Sequence, residues 1–520
     1  MPVALQNSIR RVVPRWKSFR DALNSRELDP LSLADDAVAD SERFLVAKER
    51  QWQEDKSLFF ALDLLNASFV LGDSRFAHEA AEFVLQNAKE GTPAVVRMAS
   101  AILGRGVPAP RVEANVTPGD YRAAIKQAKA RRVREPRNAF AWAELARLYA
   151  INGLRDLAER PMRIALGLAP NNRYVLRSAA RYFLHAADPG EALSILRRAE
   201  GVQFDPWLLA AEVAVSSVVG KTSRFMRNAR SIAREKAISP FHRSELTAAV
   251  ASAEMWAGSD KRARVLFVEA LEVPTENAFA QVVWASQDVG LKDYPFERIR
   301  VPRDFEARAL EARNNAQWES AVTHCSEWAG LESFSSRPYG LGSAIAVSLL
   351  RRPDDAIKIV DAGLKTNPRH PGLINNKAFA LVEKGRPQDA MFEILRADLK
   401  QAQDESKVCL LATGGLIAFR LGDIEDGREL YQRAINFAHQ IGNRAAKATA
   451  QIYLAREEAR AGNPDYGRLF EAGAEVLEKR ADAFAKELVK LLRADIAKLG
   501  VAGVQKAGAV SPAPEQSGSR

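Results

Sequence analysis

Cysteine is nearly absent: Cys325 and Cys409 are the only two in 520 residues. Two thiols cannot build a disulfide framework or a four-thiolate zinc site, and so few in a long chain fit a reducing compartment, which places the protein in the cytoplasm. Long apolar runs are missing too. The longest stretch free of Asp, Glu, Lys and Arg, Pro338 to Leu350, has 13 residues, whereas a membrane-spanning helix needs about 18–20 apolar ones. The start of the chain carries Arg10, Arg11, Arg15, Lys17 and Arg20 with no acid before Asp21. It lacks the apolar core of a secretory leader, and an organellar transit peptide is the weaker reading of it.

Catalytic patterns are equally scarce. The six histidines stand singly, and His324 and Cys325 are adjacent, so on a helix they point about 100° apart and could not share a metal. Gly220-Lys221-Thr222-Ser223 looks like the end of a phosphate-binding loop. The glycine needed five residues before Gly220 is Val215, and the lead-in from Trp207 reads as helix where that loop follows a strand. No GxSxG elbow or paired carboxylates appear. We therefore expect no enzyme activity, no cofactor and no metal.

What is present supports a packed core: 47 % of residues are hydrophobic and 27 % charged, which argues against disorder. Lys and Arg number 75 against 65 acids, a net charge of +10, which favours an anionic partner. The Ala- and Arg-rich composition suggests a bacterial source. From Ala139 the chain shows two helical periods, broken at Asn152-Gly153 and stopped by Pro170, the pattern of a helix-turn-helix of 34 residues. The next 34 residues repeat it: Trp142 maps to Leu176, Ala146 to Ala180, Tyr149 to Phe183, Ala158 to Ala192, Met162 to Leu196 and Ala165 to Ala199.

This unit resembles the tetratricopeptide repeat, with a large residue at position 4, small ones at 8, 20 and 27, aromatics near 11 and 24, and Pro near 32. Small residues let neighbouring helices approach to about 8–10 Å. Carrying the phase along gives Ala251, Ala309, Ala344, Ala378, Gly415 and Ala455 at position 8. Position 20 gives Ala263, Ala321, Ala356, Ala390, Gly427 and Gly467, and position 27 gives Ala270, Trp328, Gly363, Ala397, Ala434 and Ala474. Pro161 falls where it should kink a second helix. The expected fold is all-α, a right-handed superhelical solenoid of such hairpins.

The chain divides, on this reading, into an N-terminal helical region with a degenerate hairpin (1–103), a Pro- and Gly-rich linker (104–119), an array with irregular helices (120–290), a connector (291–301), a C-terminal array (302–481), a capping helix (482–499) and a disordered tail (500–520).

In the family this resembles, positions 2, 5, 9, 12 and 13 of the first helix face a ligand in a concave groove. That implies a partner-binding surface of Phe140, Arg147, Tyr174, Arg177, Arg181 and His185, with Leu341 and Ile345 as an apolar middle, then Asn375, Arg456 and Arg460. The family's clamp for chaperone tails is not matched, since Phe379 follows Asn375 at position 9. Arginines there suit a protein or peptide partner of acidic character. Elsewhere Lys221, Arg224, Arg227, Arg230 and Arg234 fall on one side of a helix. A second basic run holds Arg122, Lys126, Lys129, Arg131, Arg132, Arg134 and Arg137. These faces fit phosphate-backbone contact, so nucleic acid is the alternative partner. The sequence leads us to expect a non-catalytic scaffold or adaptor, a subunit of a multiprotein assembly, and leaves its oligomeric state open.

Overall fold

The computed structural model describes residues 1, 10–24, 26–28, 38–71, 75–87, 96, 99–100, 102–105, 121–399, 402–480 and 482–508. Every regular element among them is helical, so the chain is all-α. It forms two compact units: Ile9–Leu310 with Glu327–Ser335, and Met1–Ser8 with Glu311–Ser326 and Ser336–Arg520.

In the first unit, helix starts recur at the repeat spacing because a capping side chain does. Asn138, Asn172, Asp205, Ser239 and Thr275 each accept hydrogen bonds from the first-turn amides of helices Ala139–Ile151, Arg173–His185, Pro206–Val218, Pro240–Trp256 and Glu276–Ala285. Each such cap stabilises its helix by about 1 kcal/mol. The first four of these helices are each followed by a second helix of the hairpin: Arg155–Leu168, Pro189–Arg198, Met226–Ala233 and Asp260–Ala270. The cap ladder thus carries the hairpin through residues 206–233, which the small-residue pattern passed over. Helix Arg155–Leu168 runs on through Pro161.

The small residues lie where the repeat register puts them. Ala146, Ala180 and Ala251 at position 8 and Ala158, Ala192 and Ala263 at position 20 are fully buried. In the second unit the same holds for Ala344, Ala378, Ala455, Ala321, Ala356 and Ala390. Three positions depart. Trp328 is buried with its indole N–H on Glu332 Oε2 at 2.8 Å. Ala397 lies past the end of helix Pro387–Ile394. A Cβ on Gly467 would meet nothing within 4 Å, and the close approach in that hairpin falls at Gly473, whose Cβ would stand 2.8 Å from the Ala448 carbonyl.

The domain division read from the sequence needs correcting. Within the region expected over 1–103, the described residues Trp52, Leu62, Leu65 and Val84 share one core with Phe140, Ala143, Tyr174 and Val175. Residues 291–301 do not end a unit, since the first unit runs to Leu310 and takes in Glu327–Ser335. The supposed linker is Gly104 and Arg105 followed by residues outside the described set. The last helix spans Ala483–Gly508, so residues 500–508 are helical rather than tail, and 509–520 lie outside the described residues.

Candidate segment-binding groove

The expected ligand-facing positions of the first unit are not open. Residues 10–18 cross them without regular secondary structure and lead into a short helix, Phe19–Asn24. Arg10, Val12, Arg15, Trp16, Phe19, Glu27 and Leu28 are all buried. The segment is held as a ligand would be, by backbone and side chain together.

Its backbone is read by amides. Asn277 Nδ2 donates to the Val13 carbonyl at 3.0 Å, Gln281 Nε2 to the Arg10 carbonyl at 3.2 Å, and the Tyr174 hydroxyl to the Lys17 carbonyl at 3.1 Å. These groups sit on helices Glu276–Ala285 and Arg173–His185. An extended chain has unpaired carbonyls, and buried ones must find donors.

Its cations are read by carboxylates. Arg10 makes a two-pronged contact with Glu306, Nε to Oε1 at 2.8 Å and Nη2 to Oε2 at 3.0 Å, and reaches Gln281 Oε1 and Asn277 Oδ1 at 2.7 and 2.8 Å. Arg15 donates to Glu306 Oε2 at 2.6 Å and pairs with Glu332 at 3.0 Å. Lys17 bridges Glu27 and Glu276. Burial alone would raise the Glu276 carboxyl, but Lys17 and Arg15 outweigh it and hold the group below the usual carboxylate range. Glu27, sharing that lysine, goes the other way, because burial dominates there. Charge-assisted contacts of this kind are the strong ones.

Its aromatics fill the remaining space. Trp16 stands edge-on to Tyr182 and Phe334, with ring centroids 5.8 and 5.6 Å away. Phe19 stacks on Phe140 at 4.1 Å and meets Tyr174 edge-on at 5.2 Å. Between Arg15, Lys17, Glu27, Arg173, Tyr174 and Arg177 only about 10 Å³ is left, room for a single water.

Of the residues expected to face a ligand, the structure brings Phe140 and Tyr174 together under Phe19 of the same chain. The arginines do something else. Arg177 is buried on Glu245, with its Nη1 at 3.1 Å from Glu245 Oε2 and also on the Trp207 carbonyl at 3.1 Å. Arg147 pairs with Glu144 on its own helix at 2.6 Å. Arg181 lies over the Phe334 ring at 4.8 Å, and His185 is edge-on to the same ring. Helix–helix pairing and ring packing thus occupy them, and the occupied groove is acidic, the reverse of the character expected.

In the second unit, Leu341 and Ile345 are buried, and Asn375 Nδ2 donates to the Met1 carbonyl at 2.7 Å. The Met1 nitrogen donates to Thr413 Oγ1 at 2.7 Å. Arg456 is buried between Glu383 at 2.7 Å and Glu457 at 2.8 Å, and Arg420 joins Glu457 at 2.6 Å. Burial tends to raise the Glu457 carboxyl, yet the two arginines pull it down to about 2. Arg456 is therefore a structural ion-pair member. Arg460 is exposed.

The basic helix face expected over 221–234 is not formed as one helix: only Arg227 and Arg230 lie on helix Met226–Ala233, Lys221 and Arg224 precede it and Arg234 caps its end, although all five are exposed. Arg230 pairs with Glu254 at 2.8 Å, and Arg224 donates to the Arg197 carbonyl at 2.6 Å. The other basic run, on helix Tyr121–Arg134, has Arg132 over Trp142 and Lys129 over Tyr149.

Sequence reasoning missed Glu276, Asn277, Gln281, Glu306 and Glu332 as groove residues, and Arg10, Arg15, Trp16 and Lys17 as its occupants. A signal existed: the acid-free basic start of the chain carries Trp16 and Phe19, aromatics that a solvated leader does not need. Among the described residues no group of His, Cys, Asp and Glu could hold a metal ion, and no helix is long and apolar enough to cross a membrane.

No family model matches the chain, and no curated protein matches it in sequence. Solved structures do. The APC/C hetero-tetramer Cut9–Hcn1 aligns at 12 % identity over 91 % of this chain and 95 % of that chain, with a TM-score of 0.40. Yeast Tom70 aligns at 13 % identity over 90 % of this chain and 100 % of that chain, TM-score 0.32. The human IFIT1 dimer with m7Gppp-AAAA aligns at 13 % identity over 80 % of this chain and 99 % of that chain, TM-score 0.34. The chain itself is an all-α array of tetratricopeptide-like hairpins, as its buried small residues show.

Proposed function

We propose that the protein is a non-catalytic scaffold that holds extended protein segments across the first helices of its hairpins, as a subunit of a larger assembly. One observation carries this reading. Groups on three hairpin helices converge on one line of chain: the Tyr174 hydroxyl donates to the Lys17 carbonyl, Ser217 Oγ accepts from Arg11 Nε and Gln281 Nε2 donates to the Arg10 carbonyl, with carboxylates and aromatic rings beside them. Repeat arrays expose such continuous surfaces because each unit adds the same helix face beside the last.

A second reading rests on the basic segment around helix Met226–Ala233. Lys221, Arg227 and Arg234 are exposed and form no ion pair with a described residue, so that face keeps its charge for a phosphate backbone. Salt separates the two. The partner recovered with the chain from its native source, once purified, should bind it with an affinity that changes less than about tenfold between 50 and 200 mM salt. A nucleic acid held by 6–10 phosphate contacts should lose roughly 10³–10⁵ over that range. A steep loss, abolished by Arg224→Glu, Arg227→Glu and Arg230→Glu together, would favour the outer face and reject the scaffold reading.

A further inference from the structure

The groove of the first unit shows, in its own resident, what it is built to hold. Five features of residues 10–19 are matched one by one. Arg10 and Arg15 share Glu306, Lys17 takes Glu276, Trp16 enters between Tyr182 and Phe334, and Phe19 stacks on Phe140. The carbonyls of Arg10, Val13 and Lys17 are read without regard to side chain. This division of labour, backbone contacts for affinity and side-chain contacts for choice, is how extended peptides are recognised.

The acids of the groove face the cations of the segment. Glu306 pairs with Arg10 and Arg15, and Glu276 with Arg15 and Lys17. Were the segment only a strut, apolar contacts would hold it as well or better, since burying two arginines and their carboxylate carries a desolvation cost that close pairing only offsets. Buried charge does confer selectivity: a segment lacking the cations would take these counter-ions from the buried carboxylates of Glu276 and Glu306.

We propose that this groove is a receptor for arginine–aromatic segments of a partner protein, of the pattern Arg-x4-Arg-Trp-Lys-x-Phe, and that residues 10–19 of the chain occupy it until such a segment displaces them. The inference rests on the scaffold reading and supplies its ligand class, which is basic and aromatic. Occupation from within the same chain lowers the apparent affinity of the partner by the fraction of time the groove is vacant. A partner segment therefore succeeds by a closer fit, or by being tethered nearby.

The test uses the full chain. Substituting Arg10→Glu, Arg15→Glu, Trp16→Ala and Lys17→Glu together clears the groove, and the probe is a fluorescein-labelled synthetic peptide of residues 9–28. The cleared variant should bind the probe at least tenfold more tightly than the parent chain by fluorescence anisotropy. Adding Glu276→Lys and Glu306→Lys to the cleared variant should abolish binding, and so should a probe with its arginines changed to glutamate. Equal affinity of parent and cleared chains, no binding by the cleared chain, or binding that survives loss of both glutamates would each overturn the proposal. Should circular dichroism show that the fourfold variant has not folded, Trp16→Ala with Lys17→Gln takes its place under the same criteria. The scaffold reading stands apart from these outcomes, because its salt test uses the native partner.

Discussion

Trypsin should cut the Glu306→Ala variant at Arg10, Arg11, Arg15 or Lys17 at least about a hundredfold faster than it cuts the parent chain, while helix content stays the same. Glu306 is the shared counter-ion of two buried guanidinium groups, with side-chain exposures of 2 % for Glu306, 2 % for Arg10 and 7 % for Arg15. Removing one partner from a buried ion pair costs about 3–5 kcal/mol because the other is left uncompensated. The segment can relieve that cost by leaving the groove, so the loss appears as opening rather than as melting. At about 1.4 kcal/mol per factor of ten, the expected rise in the open population is on the order of 10²–10³. Removing Glu159, whose pairing with Arg163 lies half in solvent, should change cleavage little, as exposed pairs contribute about 0–1 kcal/mol. Unchanged cleavage of the Glu306→Ala chain would mean that the carboxylate does not hold the segment.

The same substitution should have opposite effects at two glycines of the second unit. Gly415→Ala should destabilise by about 1–3 kcal/mol, and Gly467→Ala should stabilise by up to about 1 kcal/mol. A Cβ on Gly415 would lie 2.6 Å from Tyr431 Cδ2 and 2.9 Å from the Gly427 carbonyl. Neither can give way, because Tyr431 is fully buried and the carbonyl belongs to the facing helix. At Gly467 nothing lies within 4 Å, and replacing an uncrowded helical glycine lowers the entropy lost on folding. Denaturant midpoints of the two variants and the parent check both signs. A neutral Gly415→Ala would show that helices Asp404–Leu421 and Ile424–Gln440 do not meet at these glycines.

Gly415 and Gly427 also show why the fold was legible. A 34-residue period with small residues at fixed positions records where helices must touch, and that constraint acts on single residues, so it survives in the sequence as Ala or Gly. The hairpin of residues 206–233 was hidden because the signal there is carried by caps such as Asp205 and by large buried residues such as Trp207. The groove was half legible. Phe140 and Tyr174, named from their positions in the repeat, lie against Phe19. Arg177 is taken up by a partner from elsewhere in the chain, Glu245, 68 residues on, and no local pattern predicts such a pair. The occupant was invisible for the same reason, since Arg10 and Glu306 lie 296 residues apart. Charge counted along the chain said basic partner surface, whereas charge counted in the groove says acidic.

The central claim is that residues 10–19 lie in the groove as a ligand lies, and a photo-crosslinker at Trp16 tests it most directly. With p-benzoylphenylalanine in place of Trp16 in the full chain, irradiation should join position 16 to helix Arg173–His185 at Tyr182 or to Phe334, within one chain. These are the rings that surround the indole. Cross-links to neither site, or to solvent-facing residues such as Arg227 instead, would contradict the account.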